Sequence, residues 1–291
     1  MRDFEYYFPF ALKDALALLE RYGEQARVLA GGTDLIVQMK SGRAGPAAVI
    51  DVKNLTELKR MEWKDNDTLF IGAAVPLSRV AAWPELKARF GILYDACSMI
   101  GSFQLRNRGT VGGNVCNAAP SADSIPPLLC LNARAVIASS KGMRIVPLDG
   151  FFRGPGKTNL ASNELLLGIE VPAPPCRSAG VYLRHTPRVD MDIAVVGVAG
   201  FLVLEDNGPV CQEARIALGA VAPTSIRVPA AEAVLKGQAI TGQMIAETAA
   251  KAAELAKPIS DVRGSAEYRQ EMVKILTTRA LNKAWDALQA K

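Results

Sequence analysis

Residues 29–35 read Leu29-Ala30-Gly31-Gly32-Thr33-Asp34-Leu35 and close a β-like run, Arg27 to Ala30. Adjacent glycines carry no Cβ, so their N–H groups can turn toward a ligand and form an anion-binding nest. Thr33 and Asp34 are of the residue types that cap a helix, here one starting at Leu35, whose N-terminus would add partial positive charge. That combination suits a pyrophosphate. An ordinary strand–turn–helix corner would use the same residues, so the loop alone leaves both readings open.

Outward from this stretch, a second glycine pair occurs in Arg108-Gly109-Thr110-Val111-Gly112-Gly113-Asn114-Val115. After it, Ala118-Ala119-Pro120-Ser121-Ala122-Asp123-Ser124 supplies small side chains and one carboxylate. Asp123 can accept hydrogen bonds from sugar hydroxyls, or cap a helix before Ile125. Two such loops in one chain point to a dinucleotide stretched between two subdomains. Neither loop has the G-x-G-x-x-G spacing of a nicotinamide-dinucleotide fold. Gly154-Pro155-Gly156-Lys157-Thr158 resembles the end of a P-loop, but Phe151 stands where that motif needs glycine, and Pro155 removes a backbone donor. A third candidate is Arg184, within Tyr182-Leu183-Arg184-His185-Thr186-Pro187-Arg188. Its permanent charge could stabilise negative charge that builds up on a bound ligand, or pair with an aspartate. On a strand His185 would face the other way.

Around these loops the periodicity predicts a helix over 11–22 ended by Gly23, β-like runs at Ala48–Val52 and Thr68–Val75, and a mostly helical stretch over 78–99 broken at Pro84 and Gly91. Residues 101–126 show little periodicity and read as a long functional loop. Strands return at Ala133–Ala138 and Leu165–Val171, followed by the linker Pro172-Ala173-Pro174-Pro175. Beyond it, 179–186, 193–205 and 213–221 read as a three-strand meander, with Asn207-Gly208 as a hairpin signal. Helices are expected at about 242–256 and 265–290, the second burying Tyr268, Met272, Ile275, Leu276, Trp285 and Leu288. The fold class is therefore α+β.

Composition narrows the function. The 291 residues are 49% hydrophobic and can build a sizeable core. The net charge of +5 is dispersed, without a basic run, so nucleic acid is not an expected partner, although an acidic protein partner would suit it. No apolar run approaches the length of a membrane helix, and the start of the chain does not read as a secretory signal, which makes the cytoplasm the expected location. The five cysteines form no C-x-x-C pair, and there is one histidine. A local iron–sulfur or zinc site is thus not expected here, and no catalytic residue is assigned to this chain.

The motifs taken together resemble a family. An F-x-Y-x-x-P-like start, A-G-G-T-D-L at 30–35, I-G-A at 71–73, T-V-G-G-N at 110–114 with S-A-D-S at 121–124, G-P-G-K-T at 154–158, E-L-L-L-G-I-E-V-P at 164–172, Arg188 and M-D-I-A at 191–194 occur in that order. This string resembles the medium, FAD-carrying subunit of molybdenum hydroxylases of the xanthine dehydrogenase and carbon monoxide dehydrogenase type, most of all bacterial xanthine dehydrogenase FAD-binding subunits. The resemblance implies a PCMH-type (vanillyl-alcohol-oxidase-like) FAD-binding domain over 1–175, with subdomains of about 1–55 and 56–175. A C-terminal flavoprotein domain over 176–291, a small antiparallel sheet with helices, would follow. It implies FAD contacts from Val28, Leu29, Ala30, Gly31, Gly32, Thr33, Asp34 and Leu35 on the pyrophosphate. Thr110, Val111, Gly112, Gly113 and Asn114 would form a second cradle. Asp123 would bind hydroxyl groups, Ile100 and Leu166 would make apolar contacts, and Arg184 would stand where relatives often carry lysine.

The resemblance further implies two partners: a large molybdopterin-binding subunit and a small subunit with [2Fe–2S] clusters, in an (αβγ)2 assembly. Electrons would pass from those clusters through FAD to NAD or another acceptor, and the substrate would be a purine or another N-heterocycle. The 4-hydroxybenzoyl-CoA reductase branch, which carries a cysteine-rich insertion, is disfavoured. The alternative is a self-sufficient FAD-dependent oxidase of the same superfamily.

Overall fold

The computed structural model describes residues 2–64 and 67–290. Its first sheet is parallel. Strand β1 (Glu5–Tyr7) leads through helix α1 (Leu12–Tyr22) to β2 (Ala26–Leu29), and helix α2 (Leu35–Lys40) leads to β3 (Ala48–Asp51). β3 lies between β1 and β2 and is buried along its whole length, as a central parallel strand must be. α1 ends at Gly23, whose φ of +49° breaks the helix by a conformation that favours glycine.

A second, five-stranded antiparallel sheet follows. After α3 (Thr56–Lys59) come β4 (Met61–Lys64) and β5 (Thr68–Gly72). Helices α4 (Leu77–Ala81), α5 (Pro84–Arg89) and α6 (Gly91–Met99) then break at Pro84 and Gly91, as expected. The stretch expected to be a long loop instead contains α7 (Phe103–Arg106), α8 (Val111–Asn117) and the start of α9 (Ile125–Cys130). Two of these short helices are held by side-chain caps, Ser102 accepting from Leu105 N and Thr110 from Gly113 N. Glycines at 109, 112 and 113 hide this helicity from a periodicity count.

Strands β6 (Arg134–Ser139), β7 (Gly142–Pro147) and β10 (Leu165–Val171) complete the sheet in the order β4-β5-β10-β6-β7, with a small hairpin of β8 (Phe152–Gly154) and β9 (Lys157–Thr158) between them in sequence.

The third sheet contains the expected meander, β11 (Ser178–His185), β12 (Val196–Leu204) and β13 (Cys211–Gly219), extended by a short β14 (Ile226–Arg227). Asn207-Gly208 lies in the β12–β13 connection, but as part of a longer loop closed by Glu205 N bonding Val210 O at 3.0 Å, not as a two-residue turn. Helices α10 (Pro229–Leu235), α11 (Gly242–Leu255) and α12 (Ala266–Gln289) follow.

Every residue of β12 is buried because the sheet is covered on both faces. Its Ala199, Phe201 and Val203 join the core built by the first two sheets and by α6 and α9. Its Val196, Val198, Leu202 and Leu204 join a second core with α10–α12. Burying Phe201, 2% exposed, stabilises the first of these cores by roughly 2–3 kcal/mol. The buried seam of α12 differs from the expected one. Val273, Leu276, Ala280, Leu281, Ala284 and Leu288 are buried, Met272, Ile275 and Trp285 are only partly covered, and Tyr268 is 44% exposed. Alanine is needed at the seam because the helix lies against Gly200 of β12, where a Cβ would already stand 3.3 Å from that of Ala280.

Candidate flavin site

The two glycine-pair loops touch. A Cβ placed on Gly31 would lie 2.1 Å from the carbonyl oxygen of Arg108 and 2.9 Å from Cα of Gly109. Only glycine permits that approach. Thr33 completes the contact, its Oγ1 being 3.6 Å from where a Cβ on Gly109 would lie. Gly32 adopts φ +78°, a left-handed conformation that turns the chain sharply into α2. The N–H groups of Gly31, Gly32, Thr33 and Asp34 donate to no protein acceptor among the described residues. Consecutive free amides on a glycine turn are the donor set a diphosphate needs.

The expected capping by Thr33 and Asp34 is not found. Asp34 occupies the N-cap position of α2 with φ −98° and ψ −48°, and no side chain there accepts a helix N–H. A capping residue normally has extended backbone angles, and the bend at Gly32 leaves Asp34 helical. Val28 and Leu29 lie on β2, level with Ile50 and Asp51 of β3, and Ala30 leads out of the strand; Leu35 opens α2.

The second loop is anchored from below. Leu77 N donates to Gly109 O at 2.8 Å, and Gly112 packs on Ala73, whose Cα a Cβ on Gly112 would meet at 2.5 Å. Ala73 N in turn donates to Leu167 O at 2.8 Å, which ties the loop to β10 beside Leu166. The Ile71-Gly72-Ala73 motif thus has two packing causes. Gly72 clears the Leu58 backbone, and Ala73 is the seat of Gly112. Thr110 Oγ1 accepts from Gly113 N at 2.8 Å, and Val111 is buried beneath. Asn114 Oδ1 accepts from Ser124 Oγ at 2.6 Å, so the loop is braced from the 118–124 segment as well.

The outer candidates divide. Leu166 is 2% exposed and belongs to the core, so any contact from it is made at the floor of the site. Ile100 is half-buried at the end of α6, and its carbonyl accepts from Arg106 Nη1 at 3.1 Å. Lys157 is exposed on β9, although its neighbour Gly156 donates its N–H to Ala118 O.

Asp123 is neither a free hydroxyl acceptor nor a helix cap. Ser124 is the N-cap residue of α9. Asp123 Oδ2 accepts from Arg184 Nη1 at 2.8 Å and Oδ1 accepts from the Tyr182 hydroxyl at 2.7 Å. Burial raises the Asp123 carboxyl above its ordinary range, against the opposing pull of Arg184 and Tyr182. Burial and the neighbouring carboxylate push the Tyr182 phenol well above its usual value. The aspartate partner weighed for Arg184 is therefore real, and it lies across the proline linker. Tyr182 was not singled out from sequence. Its bond to Asp123 spans 59 residues and has no local signal. His185 points to the opposite face, where Nε2 lies 2.9 Å from the Tyr268 hydroxyl.

Among the described residues no cluster of His, Cys, Asp or Glu is arranged to hold a metal ion, and no helix is long and apolar enough to cross a membrane.

This arrangement has known counterparts. Residues 2–174 match the family model for the FAD binding domain in molybdopterin dehydrogenase, and residues 181–284 match that for the CO dehydrogenase flavoprotein C-terminal domain. The carbon monoxide dehydrogenase medium chain of Hydrogenophaga pseudoflava is 35% identical over 282 residues, covering 97% of each chain. The xanthine dehydrogenase FAD-binding subunit of Escherichia coli O157:H7 is 34% identical over 293 residues, covering 100% of this chain and 99% of that one.

Among solved structures, carbon monoxide dehydrogenase from Hydrogenophaga pseudoflava superposes with a TM-score of 0.94 at 35% identity over 98% of both chains. Quinoline 2-oxidoreductase from Pseudomonas putida 86 gives 0.91 at 30% identity, covering 99% of this chain and 98% of that chain. By its full-length likeness in sequence and fold, the chain belongs to the FAD-binding medium subunits of the molybdenum hydroxylases.

Proposed function

We propose that the abutting loops are the two walls of the FAD diphosphate cradle, and that the chain relays electrons from the [2Fe–2S] clusters of a small partner subunit to a soluble acceptor, NAD being the first candidate. The observation that carries the cradle is the contact of Gly31 with Arg108 and Gly109, next to unclaimed amides at 31–34. Residues 28–35 would wrap one side of the diphosphate and 110–114 the other. Arg184, anchored by Asp123, would stand near the ring system, with Ile100 and Leu166 giving apolar contact. FAD, when bound, supplies the redox chemistry; the protein supplies orientation and electrostatics. The rigid glycine backbones present fixed donors, and the Arg184 guanidinium, held in place by one oxygen of buried Asp123, would be a pre-oriented donor that needs no reorganisation when the cofactor changes oxidation state.

The division of the chain at residues 175 and 176, with subdomains meeting near residue 55, follows from the same reading. The large molybdopterin subunit, the (αβγ)2 assembly and a cytoplasmic location also belong to it. A purine or other N-heterocycle is the proposed substrate of the assembled enzyme. Relatives named for carbon monoxide, xanthine, nicotinate and caffeine match 94–100% of this chain at 30–35% identity, which suits a subunit that does not itself choose the substrate. The self-sufficient oxidase is less favoured, because the one histidine of the chain is turned toward Tyr268, away from Arg184.

Purification of the chain with and without candidate partners tests this. A yellow protein that releases FAD, bleaches on reduction and co-purifies with molybdopterin and [2Fe–2S] subunits is expected. A colourless chain that FAD cannot reconstitute would overturn it.

A further inference from the structure

Tyr182 and Arg184 are two positions apart on β11 and leave the sheet on the same face, toward Asp123. Asp123 is 7% exposed and Tyr182 3%, so neither group has solvent as an alternative partner. The Asp123 carboxylate is divided between them, one oxygen to each. Opposite on β12, Gly197 is in register with Arg184. A Cβ there would stand 2.6 Å from the Tyr182 hydroxyl oxygen. Gly197 is therefore the space in which the phenol stands.

We propose that Tyr182 is a positioning residue of the flavin site: its hydroxyl, given room by Gly197, keeps one oxygen of Asp123 away from Arg184 and so leaves part of the guanidinium's donor set and charge for the cofactor. The inference rests on the reading that Arg184 stands beside FAD. Its physical basis is the stoichiometry of the carboxylate. A guanidinium offers a planar fork that a carboxylate fills with both oxygens when both are available. Among the described residues Arg184 is held by a single bond, from Nη1. Without the phenol, Asp123 Oδ1 would be buried with no donor, which is costly, and the second N–H of the fork is the donor at hand. Two-point capture would turn Arg184 toward Asp123 and neutralise it more fully. The charge that reduction places on the cofactor would then be less well stabilised.

The test uses the full chain loaded with FAD, comparing Tyr182→Phe and Gly197→Ala with the unaltered protein for FAD affinity and midpoint potential. Tyr182→Phe removes one oxygen and leaves the ring in place, whereas Gly197→Ala keeps the phenol and displaces it. Both are expected to bind FAD and to lower the ratio of reduced to oxidised flavin at a fixed poise by about tenfold, roughly 30 mV for a two-electron couple. A merely structural tyrosine would change stability without moving the potential. FAD bound normally by both variants at an unchanged or higher potential overturns this inference alone. An unaltered chain that takes up no FAD defeats the reading of the site and this inference with it. Should Gly197→Ala not fold, the potential of Tyr182→Phe decides.

Discussion

The backbone at Gly31 lies against that of Arg108 so closely that no side chain fits between them: a Cβ would be 2.1 Å from the arginine's carbonyl oxygen. Gly31→Ala must therefore separate the loops or shift one of them. Overpacking of this kind costs about 1–3 kcal/mol. We expect Gly31→Ala to lose most of its bound flavin and to unfold at lower temperature. Gly242→Ala, at a helix start where a Cβ meets nothing within 4 Å, should keep both properties. Flavin content per chain and thermal unfolding of the two variants check this.

The Thr110 side chain caps the second loop, its Oγ1 accepting from Gly113 N at 2.8 Å. Thr110→Ala should cost about 1 kcal/mol, the usual worth of a helix cap, and Thr110→Ser should restore it. Urea unfolding of the pair measures the difference. A Thr110→Ala protein as stable as its parent would show that packing against Ala73, not the cap, fixes this turn.

Arg269, 3% exposed, ties the last helix to the sheet. Its Nη1 donates to Val195 O at 2.8 Å and Ala220 O at 3.1 Å, and Nη2 to Asp261 at 2.7 Å. Arg269→Met leaves two carbonyls and a carboxylate without that donor. We expect a loss of about 1–3 kcal/mol, the cost of leaving buried carbonyls without a donor, with little added by the solvent-exposed Asp261, read from chemical denaturation.

Acid sensitivity should show at Glu164, whose two oxygens accept from Arg144 at 2.7 Å each. Those hydrogen bonds hold the Glu164 carboxyl below its usual range. A value lowered in the folded state contributes stability above about pH 4.3, the ordinary glutamate value, and that contribution is lost as pH falls through the folded value. Glu164→Gln should therefore flatten the acid limb of the stability curve below about pH 4.3. The change should stay under about 1 kcal/mol, since the Arg144 side chain is 41% exposed and its charge is screened. Urea midpoints at pH 6 and pH 3 give the comparison.

What could be read from the sequence was what local chemistry dictates. Gly23, Pro84 and Gly91 punctuate helices because of their own backbone limits, and the paired glycines mark where backbones approach. Strands β1, β4 and β7 carry no such signal, because β1 and β7 are largely exposed and β4 is half-buried, none with burial that alternates. They exist because distant partners pair with them: Glu5 lies level with Ala48, and Arg144 with Ile137. The α12 seam differs from the face that the large apolar residues mark, because close packing on Gly200 selects alanine there. At the site, the glycine loops are legible in the sequence, and the charge of Arg184 allows an aspartate partner. The phenol completing that pair was not visible, because nothing near Tyr182 in the sequence distinguishes it from any strand tyrosine.

Asp123 is bonded by residues that follow it by 59 and 61 positions, beyond the prolines. On a growing chain, which folds from its N-terminal end, both glycine turns leave the ribosome while that acid still lacks its donors. The nascent chain thus carries Asp123 without its donors until β11 has been made and laid down. On the proposed reading of the site, a truncated product ending before residue 182 would therefore hold flavin poorly even with every glycine in place.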